Sequence, residues 1–287
     1  MFKKIILSTL VASALQLTTL GVSAGHHKHG AEHELGLQLY SLRNEFPKDF
    51  EGTVKQIADW EIHHVEGGGM LHDQSIDDFK AALDKQNIKV VSVDTSYEEV
   101  RDNPIAVAYK AKYFGAKYAT IYWASHDGSV GFTFDDAQRL VKILNEGGKQ
   151  LAKEGVTLQY HPHGYEFGKH EDGTLLDYII ENTKHAQFQM DVFWIKQGGA
   201  DPVEVLKKYE GRFTSLHLKD RLKGSPNTTT GSADVQTNVV LGTGDVGIAE
   251  VIKEAKKQKI KYFFLEDESE RVLKQIPQSI KFVKTHL

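Results

Sequence analysis

The sequence predicts an α/β fold built as a single (β/α)8 barrel, also called a TIM barrel, over residues 35–287. Eight short segments rich in Val, Ile, Leu, Phe and Tyr alternate along the chain with eight amphipathic helical segments. Short apolar segments of this composition are typical of parallel strands that are buried on both faces. The 287 residues also suit a fold that typically needs about 250 residues.

The predicted elements follow one another in strict alternation. The predicted strands are 35–40, 63–66, 89–94, 118–122, 157–161, 188–191, 213–217 and 262–266. The predicted helices are 50–60, 75–85, 104–114, 133–154, 175–182, 202–209, 248–258 and 272–284. The segment 223–238, which follows the seventh strand, is rich in Gly, Ser, Thr and Asn and is long enough to serve as a mobile lid.

An open, doubly wound sheet is the alternative architecture. It would place a glycine-rich dinucleotide turn after the first strand. The chain instead continues as Tyr40-Ser41-Leu42-Arg43, without a G-x-G-x-x-G pattern. Eight β-then-α units without a dividing linker therefore favour the closed barrel.

The amino-terminal segment has the pattern of a secretory signal. Two lysines precede an apolar run over residues 5–20, and residues 22–24 read Val-Ser-Ala, a small-x-small cleavage pattern. We therefore expect a signal peptide at 1–24, export to a periplasm or the outside, and no stable membrane insertion after its removal. Residues 25–34 contain four histidines and are predicted to form a flexible tether, although histidine-rich tracts also scavenge metal. The absence of cysteine is compatible with export.

The charge pattern argues against a nucleic-acid partner. The formal net charge is −4, and no basic stripe with interleaved aromatic residues is found. The sequence leaves formation of a homo-oligomer open.

Polar residues end four successive predicted strands: His161, Asp191, His217 and Glu266. Chemistry in (β/α)8 barrels takes place at the carboxyl ends of the strands, so these side chains are expected to converge. Two imidazoles and two carboxylates suit one divalent ion such as Mn²⁺, Co²⁺, Zn²⁺ or Fe²⁺. Such an ion could polarise a carbonyl group and stabilise an enediolate. A single polar residue at a strand end is usually structural, but four on adjacent strands favour a metal site.

Three further residues are candidates for catalysis besides Glu266, which could act as a base. Glu66 ends the second strand beside three glycines and is predicted to bind substrate or act as a general base; the alternative is an ion pair with a nearby Lys or Arg. His163 is a candidate proton shuttle. Lys219 could polarise a substrate oxygen or neutralise a carboxylate at the rim. Glu166 is predicted to orient one of the histidines.

Residues near other strand ends are candidates for substrate binding. Gln38 and Tyr40 end the first strand and could form hydrogen bonds with hydroxyl groups. Trp123 follows the fourth strand and could line a sugar site, although a lone aromatic residue there is more often part of the core. Trp194 could stack on a sugar ring or serve as a hydrophobic plug.

The segment Thr157–Phe167, which reads TLQYHPHGYEF, resembles the Y-H-N-H-x-x-E-F motif of one branch of the xylose isomerase-like sugar phosphate isomerase/epimerase superfamily. The resemblance extends over nearly all of residues 35–287, and the order and spacing of its segments are specific. The other matching segments are 36–41, 190–194, 199–202, 217–220, 241–244 and 262–267.

The resemblance implies a (β/α)8 barrel with one divalent metal at its mouth. Ligands in the superfamily come from the ends of strands five to eight and are usually Glu, Asp, His and Glu. By position these correspond to His161, Asp191, His217 and Glu266. The histidine at the fifth strand removes one of the two carboxylates that the best-known epimerases use. Trp194 stands where some members carry a substrate-binding histidine.

The expected function is that of a metal-dependent isomerase or epimerase acting on a non-phosphorylated sugar or keto-sugar through an enediolate-type intermediate. Export and the lack of a P-loop-like glycine cradle argue against a sugar phosphate. One alternative is a metal-dependent lyase or dehydratase, for example one that performs β-elimination on a 3-keto-glycoside; the replacement of glutamate by His161 favours it. The other alternative is a non-catalytic sugar-binding barrel. In each case the expected partner is a small sugar or polyol.

Overall fold

Eight parallel strands close into a barrel in the computed structural model of the protein, which describes residues 33–69 and 71–287. Neighbouring strands in the barrel are neighbours in sequence, and the eighth strand pairs with the first. The strands are β1 Glu34–Gln38, β2 His64–Glu66, β3 Lys89–Thr95, β4 Tyr118–Ile121, β5 Thr157–Tyr160, β6 Gln187–Asp191, β7 Phe213–Leu218 and β8 Tyr262–Leu265. The predicted fold class is therefore confirmed.

The barrel begins slightly earlier in the chain than predicted. Glu34 pairs with Tyr262 of β8, and Nδ1 of His33 lies 3.0 Å from the carbonyl oxygen of Ile260. The last two residues of the predicted tether 25–34 thus belong to the barrel. The predicted signal peptide 1–24 and the rest of the tether lie outside the described residues.

Helices lie between the strands, and all eight predicted helices are present. The helices of the described residues are α1 Phe50–Asp59, α2 Ile76–Lys85, α3 Tyr97–Asp102, α4 Pro104–Phe114, α5 Phe134–Lys153, α6 Leu175–Asn182, α7 Val192–Gln197, α8 Pro202–Lys208, α9 Ile248–Lys257 and α10 Val272–Lys284. The sequence did not predict α3 and α7. Among these helices, none is long and apolar enough to cross a membrane.

The longest helix shows how local sequence sets the element boundaries. Thr133 caps the amino terminus of α5 in a capping box with Asp136, and acidic residues in the first turn complement the helix dipole. Leu140, Leu144 and the other buried apolar residues of α5 form one stripe against the barrel. The helix ends before Gly155, whose φ of 78° reverses the chain into β5.

The interior of the barrel contains a connected set of polar side chains, here called the interior polar chain: Ser92, Thr120, Gln159, Ser215 and Gln189. All five are buried. Ser92 Oγ lies 2.7 Å from Thr120 Oγ1, which donates to Gln159 Oε1 at 2.9 Å. Both glutamine amides then donate to Ser215 Oγ at 3.0 Å. The chain spans β3 to β7 and satisfies polar groups that would be costly to bury unpaired.

Strand alternation places the predicted ligands directly above this chain. Side chains two residues apart on a strand point to the same side. Asp191 therefore follows Gln189 on the barrel interior, and His217 follows Ser215. His161 follows Gln159 in the same way, one residue beyond the end of β5.

The segment predicted to form a lid lies over the carboxyl end of the barrel. Its start is fixed because Thr228 N donates to the carbonyl of Gln197 at 2.8 Å and Arg221 donates to Asn227 Oδ1 at 2.8 Å. Gly231 adopts a φ of 69°, and a Cβ atom on it would lie 2.6 Å from the ring of Tyr165. A glycine is therefore required where this segment covers the barrel mouth.

Candidate metal and substrate site

A cavity of about 430 Å³ opens at the carboxyl ends of the strands. Its volume lies within the range of small-molecule sites in proteins. Eight of the predicted site residues line it: Gln38, Tyr40, Trp123, His161, His163, Trp194, His217 and Glu266. Glu66, Asp191 and Lys219 are fully buried beside it and are not among the lining residues.

Three of the four predicted metal ligands form one compact group. One ligand atom from each of His161, Asp191 and His217 lies within 4.8 Å of the others. Asp191 Oδ2 is 3.6 Å from His161 Nε2 and 3.8 Å from His217 Nδ1. Glu266 adjoins the group, with Oε2 2.8 Å from His217 Nδ1. Atoms that share an ion at about 2.0–2.2 Å lie roughly 3–3.5 Å apart, so a small contraction suffices.

Hydrogen bonds fix which nitrogen of His161 is available as a ligand. Its Nδ1 lies 3.0 Å from Oε1 of Gln189, whose amide nitrogen donates to Glu66 and Ser215. Because an amide oxygen only accepts, Nδ1 of His161 carries the proton. Nε2 therefore presents a lone pair toward Asp191.

His217 is oriented by Glu66 on the opposite side of its ring. Nε2 donates to Glu66 Oε1, which leaves Nδ1 turned toward Asp191 and Glu266. A histidine ligand that donates its other N–H to a carboxylate is a common feature of metal sites, because the carboxylate fixes the ring and raises its basicity.

Asp191 provides the test of whether these residues fit a cation. Its Oδ1 accepts the backbone N–H of Phe193 at 2.8 Å and caps α7. Its Oδ2 is buried, and among the described residues it has no hydrogen-bond partner. A buried, unpaired carboxylate oxygen is costly, whereas a cation between two imidazoles would satisfy it. The residues fit a divalent ion.

The ionisation of the group agrees with this interpretation. Burial raises the pKa of Asp191, against the opposing effect of Lys219. Burial would lower the pKa of His217, but Glu66 and Glu266 together raise it to about 10. Without an ion, a proton on Nδ1 therefore holds the carboxylates together, and ligation through that nitrogen requires its loss.

The structure corrects the predicted placement of Glu66. The sequence suggested a carboxylate facing a substrate. The side chain instead points into the barrel, in register with Gln38 and Ser92, and its two oxygens accept from His217 and Gln189. It lies behind the predicted metal ligands, on the side of His217 opposite Asp191.

Lys219 is likewise separated from the cavity. Its Nζ contacts Glu268, lies 3.7 Å from Oε1 of Glu266, and sits over the rings of Phe193 and Trp194. Burial lowers the pKa of Lys219, but the surrounding carboxylates raise it overall. This position corresponds to the predicted alternative of neutralising a carboxylate at the rim.

His163 lies between the group and two tryptophans. Its ring centroid is 4.6 Å from that of His161, 5.3 Å from Trp194 and 5.5 Å from Trp123. Nδ1 donates to the carbonyl of His161 at 3.3 Å, which leaves Nε2 as the proton acceptor. Burial lowers the pKa of His163 to about 4, so the imidazole is neutral.

Glu166 holds the segment that carries both histidines. It accepts the backbone N–H of His163 at 3.1 Å and the hydroxyl of Tyr160. The sequence predicted that Glu166 orients one of the histidines, and the contact is made with the backbone N–H of His163. Burial raises the pKa of Glu166 to about 7.

The aromatic side chains of the cavity differ in exposure. Tyr40 and Trp123 are about half exposed at the rim, whereas Trp194 is buried. The guanidinium of Arg43 lies 4.6 Å above the ring of Tyr40. Two further carboxylates, Asp94 and Glu268, line the cavity and were not predicted from the sequence. Their positions in the sequence could have indicated them, because Asp94 lies near the end of β3 and Glu268 follows Glu266 by two residues.

The arrangement of residues at the barrel mouth agrees with the protein family that the chain matches. Residues 54–286 match the family described as xylose isomerase-like TIM barrel. The chain belongs to this family. The predicted resemblance is therefore confirmed, and the ligand group lies at the barrel mouth of a xylose isomerase-like protein.

Three proteins illustrate the range of the similarity. An inosose dehydratase from Clostridium botulinum (strain Alaska E43 / Type E3) is 27% identical over 192 residues, which cover 60% of this chain and 63% of that protein. The chain thus spans less than two thirds of that relative's length. A sugar phosphate isomerase/epimerase from Parabacteroides distasonis ATCC 8503 superposes with a TM-score of 0.73 at 22% identity, covering 88% of this chain and 98% of the other. A zinc-bound IolI protein superposes with a TM-score of 0.66 at 15% identity, covering 88% and 96%.

Proposed function

We propose that this protein is a metal-dependent lyase that eliminates an oxygen substituent from a keto-polyol. The observation that carries the proposal is that Glu266 is the only carboxylate of the predicted ligand set that lines the cavity. Asp191 is fully buried, and His161 stands where the superfamily usually has a glutamate. Only one carboxylate of the predicted ligand set faces the substrate side, which suits chemistry in which one ligand acts as the base. The similarity to an inosose dehydratase supports the same reaction class.

A divalent ion held by His161, Asp191, His217 and Glu266 would polarise the ketone oxygen of the substrate. We infer a borderline ion such as Mn²⁺, Co²⁺, Zn²⁺ or Fe²⁺ from the two nitrogen and two oxygen ligands.

Glu266 is the base in this proposal. Burial would raise the pKa of Glu266, but Lys219 and His217 hold it well below its usual range, so the carboxylate is ionised. It takes the proton from the carbon beside the ketone, and the electron pair of that C–H bond forms a carbon–carbon double bond. The bond from the next carbon to its oxygen substituent breaks. The departing oxygen takes the proton back from Glu266 and leaves as water or an alcohol.

His163 and the tryptophans position the substrate. Nε2 of His163 accepts a hydrogen bond from a substrate hydroxyl, because Nδ1 is committed to the carbonyl of His161. Trp123 offers a half-exposed ring face to the apolar face of a sugar-like ring. The segment around Gly231 covers the mouth and limits the access of water.

Isomerisation or epimerisation of a non-phosphorylated sugar is the second candidate. It is favoured by the presence of a second proton acceptor, His163, in the same cavity as Glu266. One group could then remove a proton from carbon while the other moves a proton between oxygens. A non-catalytic sugar-binding barrel has less support, because it would not need to keep the ligand group together.

The two reactions are distinguished by their products. The purified protein, loaded with a divalent metal, is incubated in deuterated water with an inosose, with keto-sugars and with 3-keto-glycosides. A lyase gives an unsaturated ketone, detected by its ultraviolet absorbance, together with water or the free aglycone. An isomerase gives an isomeric sugar that carries solvent deuterium. Absence of both products in the metal-loaded protein, with the chelated protein as control, would contradict the proposal.

We also propose that the mature chain is exported. The basic start, the interrupted apolar run and the small residues at 22–24 support this. Amino-terminal sequencing of the protein from the periplasm or medium is expected to begin at residue 25. A mature chain that retains residue 1 in the cytoplasm would contradict it.

A further inference from the structure

Two acidic side chains line the cavity and have no part in the metal group. Asp94 lies near the end of β3, and Glu268 follows β8. Both are partly exposed. They belong to different parts of the barrel rim, and both line the same cavity.

Each of these carboxylates is anchored by a lysine. Nζ of Lys110 lies 3.4 Å from Asp94 Oδ1 and donates to the Asp94 carbonyl at 2.8 Å. Nζ of Lys219 contacts Glu268 Oε1. In each pair the second carboxylate oxygen accepts no hydrogen bond from the described residues and can accept one from a ligand, and Oε2 of Glu268 also lies 3.9 Å from the guanidinium of Arg43.

The backbone of Glu268 is also fixed. Its N–H donates to Asn238 Oδ1 at 2.9 Å, and its carbonyl accepts from Arg43 at 2.9 Å. A pre-positioned carboxylate loses little freedom when it accepts a ligand hydrogen bond. Glu268 is therefore built as a recognition group.

The cavity wall offers no cationic side chain to an anion. Among the described residues that line it, none is a lysine or arginine. Lys219 is 1% exposed and covered by the rings of Phe193 and Trp194. A divalent ion would be balanced by Asp191 and Glu266. The remaining wall carries acceptors, which attract hydroxyl groups and repel phosphate or carboxylate groups.

We propose that Asp94 and Glu268 select a neutral cyclic polyol by accepting hydrogen bonds from its hydroxyl groups, and that they exclude phosphorylated and carboxylated sugars. This inference rests on the proposed function, because it concerns the substrate of the same cavity. It assigns two residues that neither bind the metal nor move the proton.

Titration calorimetry on the metal-loaded full chain tests the selection with two probes. An inosose is the neutral probe and inorganic phosphate is the anionic probe. Asp94→Asn and Glu268→Gln are each expected to weaken inosose binding about 10- to 100-fold, since a charged hydrogen-bond acceptor is lost. Each is also expected to strengthen phosphate binding several-fold, since a repelling charge is removed. Glu270→Gln is the matched control, because this neighbouring carboxylate is exposed, and it should change neither.

The expected changes in affinity are opposite for inosose and phosphate. Misfolding would weaken the binding of both probes, so the two explanations can be told apart. Lys219 contacts both Glu268 and Glu266, so a change at Glu268 could also affect Glu266. Asp94→Asn is free of this effect and therefore provides an independent test. Unchanged affinities for both probes, or a wild-type protein that prefers phosphate, would overturn the inference. Lack of turnover by a wild-type protein that shows the expected binding contrast would contradict only the lyase proposal.

Discussion

Glu66 accepts a hydrogen bond from Nε2 of His217, on the side of the ring opposite Asp191. The same carboxylate accepts from Gln189, which in turn accepts from Nδ1 of His161. One buried residue thus sets the orientation of both imidazoles, directly in one case and through an amide in the other.

Glu66→Gln is expected to weaken binding of Zn²⁺ or Co²⁺ about 10- to 100-fold, because the charge that orients His217 and raises its basicity is lost. Competition with a metal chelator measures the change. Glu98→Gln, which removes an exposed carboxylate on α3, should leave metal affinity unaltered. A folded Glu66→Gln protein with wild-type metal affinity would show that the contact has no part in the metal site.

Two substitutions at Asp191 should separate its two roles. Asp191→Ala removes both the ligand oxygen and the cap of α7, whereas Asp191→Asn keeps an oxygen for the cap but removes the charge. Both variants are expected to lose bound metal with the fold intact. Only Asp191→Ala should also lose the cap, at a cost of about 1 kcal/mol in the metal-free protein. Metal analysis and chemical denaturation provide the measurements, and normal metal content in either variant would remove Asp191 from the ligand set.

The covering segment can be tested at Gly231. Gly231→Ala places a Cβ atom 2.6 Å from Tyr165 and should move the segment away from the mouth. We expect a raised KM with unchanged metal content. Gly224→Ala is the matched control: Gly224 has a φ of 85° but no atom within 4 Å of a Cβ. Both variants carry the left-handed strain of about 1–2 kcal/mol, so only the contact differs. Equal KM values would mean that the segment does not shape the cavity.

The raised pKa of Glu166 predicts that the stability of the fold depends on pH. Burial raises its pKa to about 7, above the usual 4.5 of a free carboxyl group. The folded protein therefore holds this proton more tightly than the unfolded chain. The stabilisation that results from this proton is fully present below pH 4.5 and is lost as the pH rises through about 7. The free energy of unfolding falls by up to about 3 kcal/mol over this range.

The difference between wild-type and Glu166→Gln unfolding free energies, measured by urea denaturation across this range, isolates the effect. The variant should lack this decline, whatever its absolute stability. Glu181→Gln, an exposed carboxylate on α6, should retain it. Parallel pH profiles for the wild type and Glu166→Gln would be inconsistent with a buried, protonated side chain.

The eight strands could be predicted because each is short, most are rich in apolar residues, and each alternates with an amphipathic helical segment, as parallel barrel strands do. Helix α7 could not be predicted, because Val192–Ile195 are all buried and give no helical periodicity. Helix α3 was not predicted for a different reason. It has six residues, too few for a periodic pattern, although Ser96 and Glu99 form a capping box.

The ligand group could be anticipated because strand-end position fixes which side chains meet at the mouth. The depth of a side chain below the mouth depends on register, which the sequence does not display. Glu66 therefore looked like a substrate group and lies behind His217. Asp94 and Glu268 are recognised only when the lysines that pair with them are seen in space.

The interior polar chain has a consequence for how this barrel tolerates change. In many barrels the interior is apolar, and its residues can be exchanged for others of similar size without touching the chemistry. Here Ser215 and Gln189 connect the strands and also reach the groups that hold the imidazoles. An apolar replacement inside the cylinder would therefore disturb the predicted metal site even if it improved packing, so mutational drift in the core would be constrained by the proposed chemistry as well as by folding.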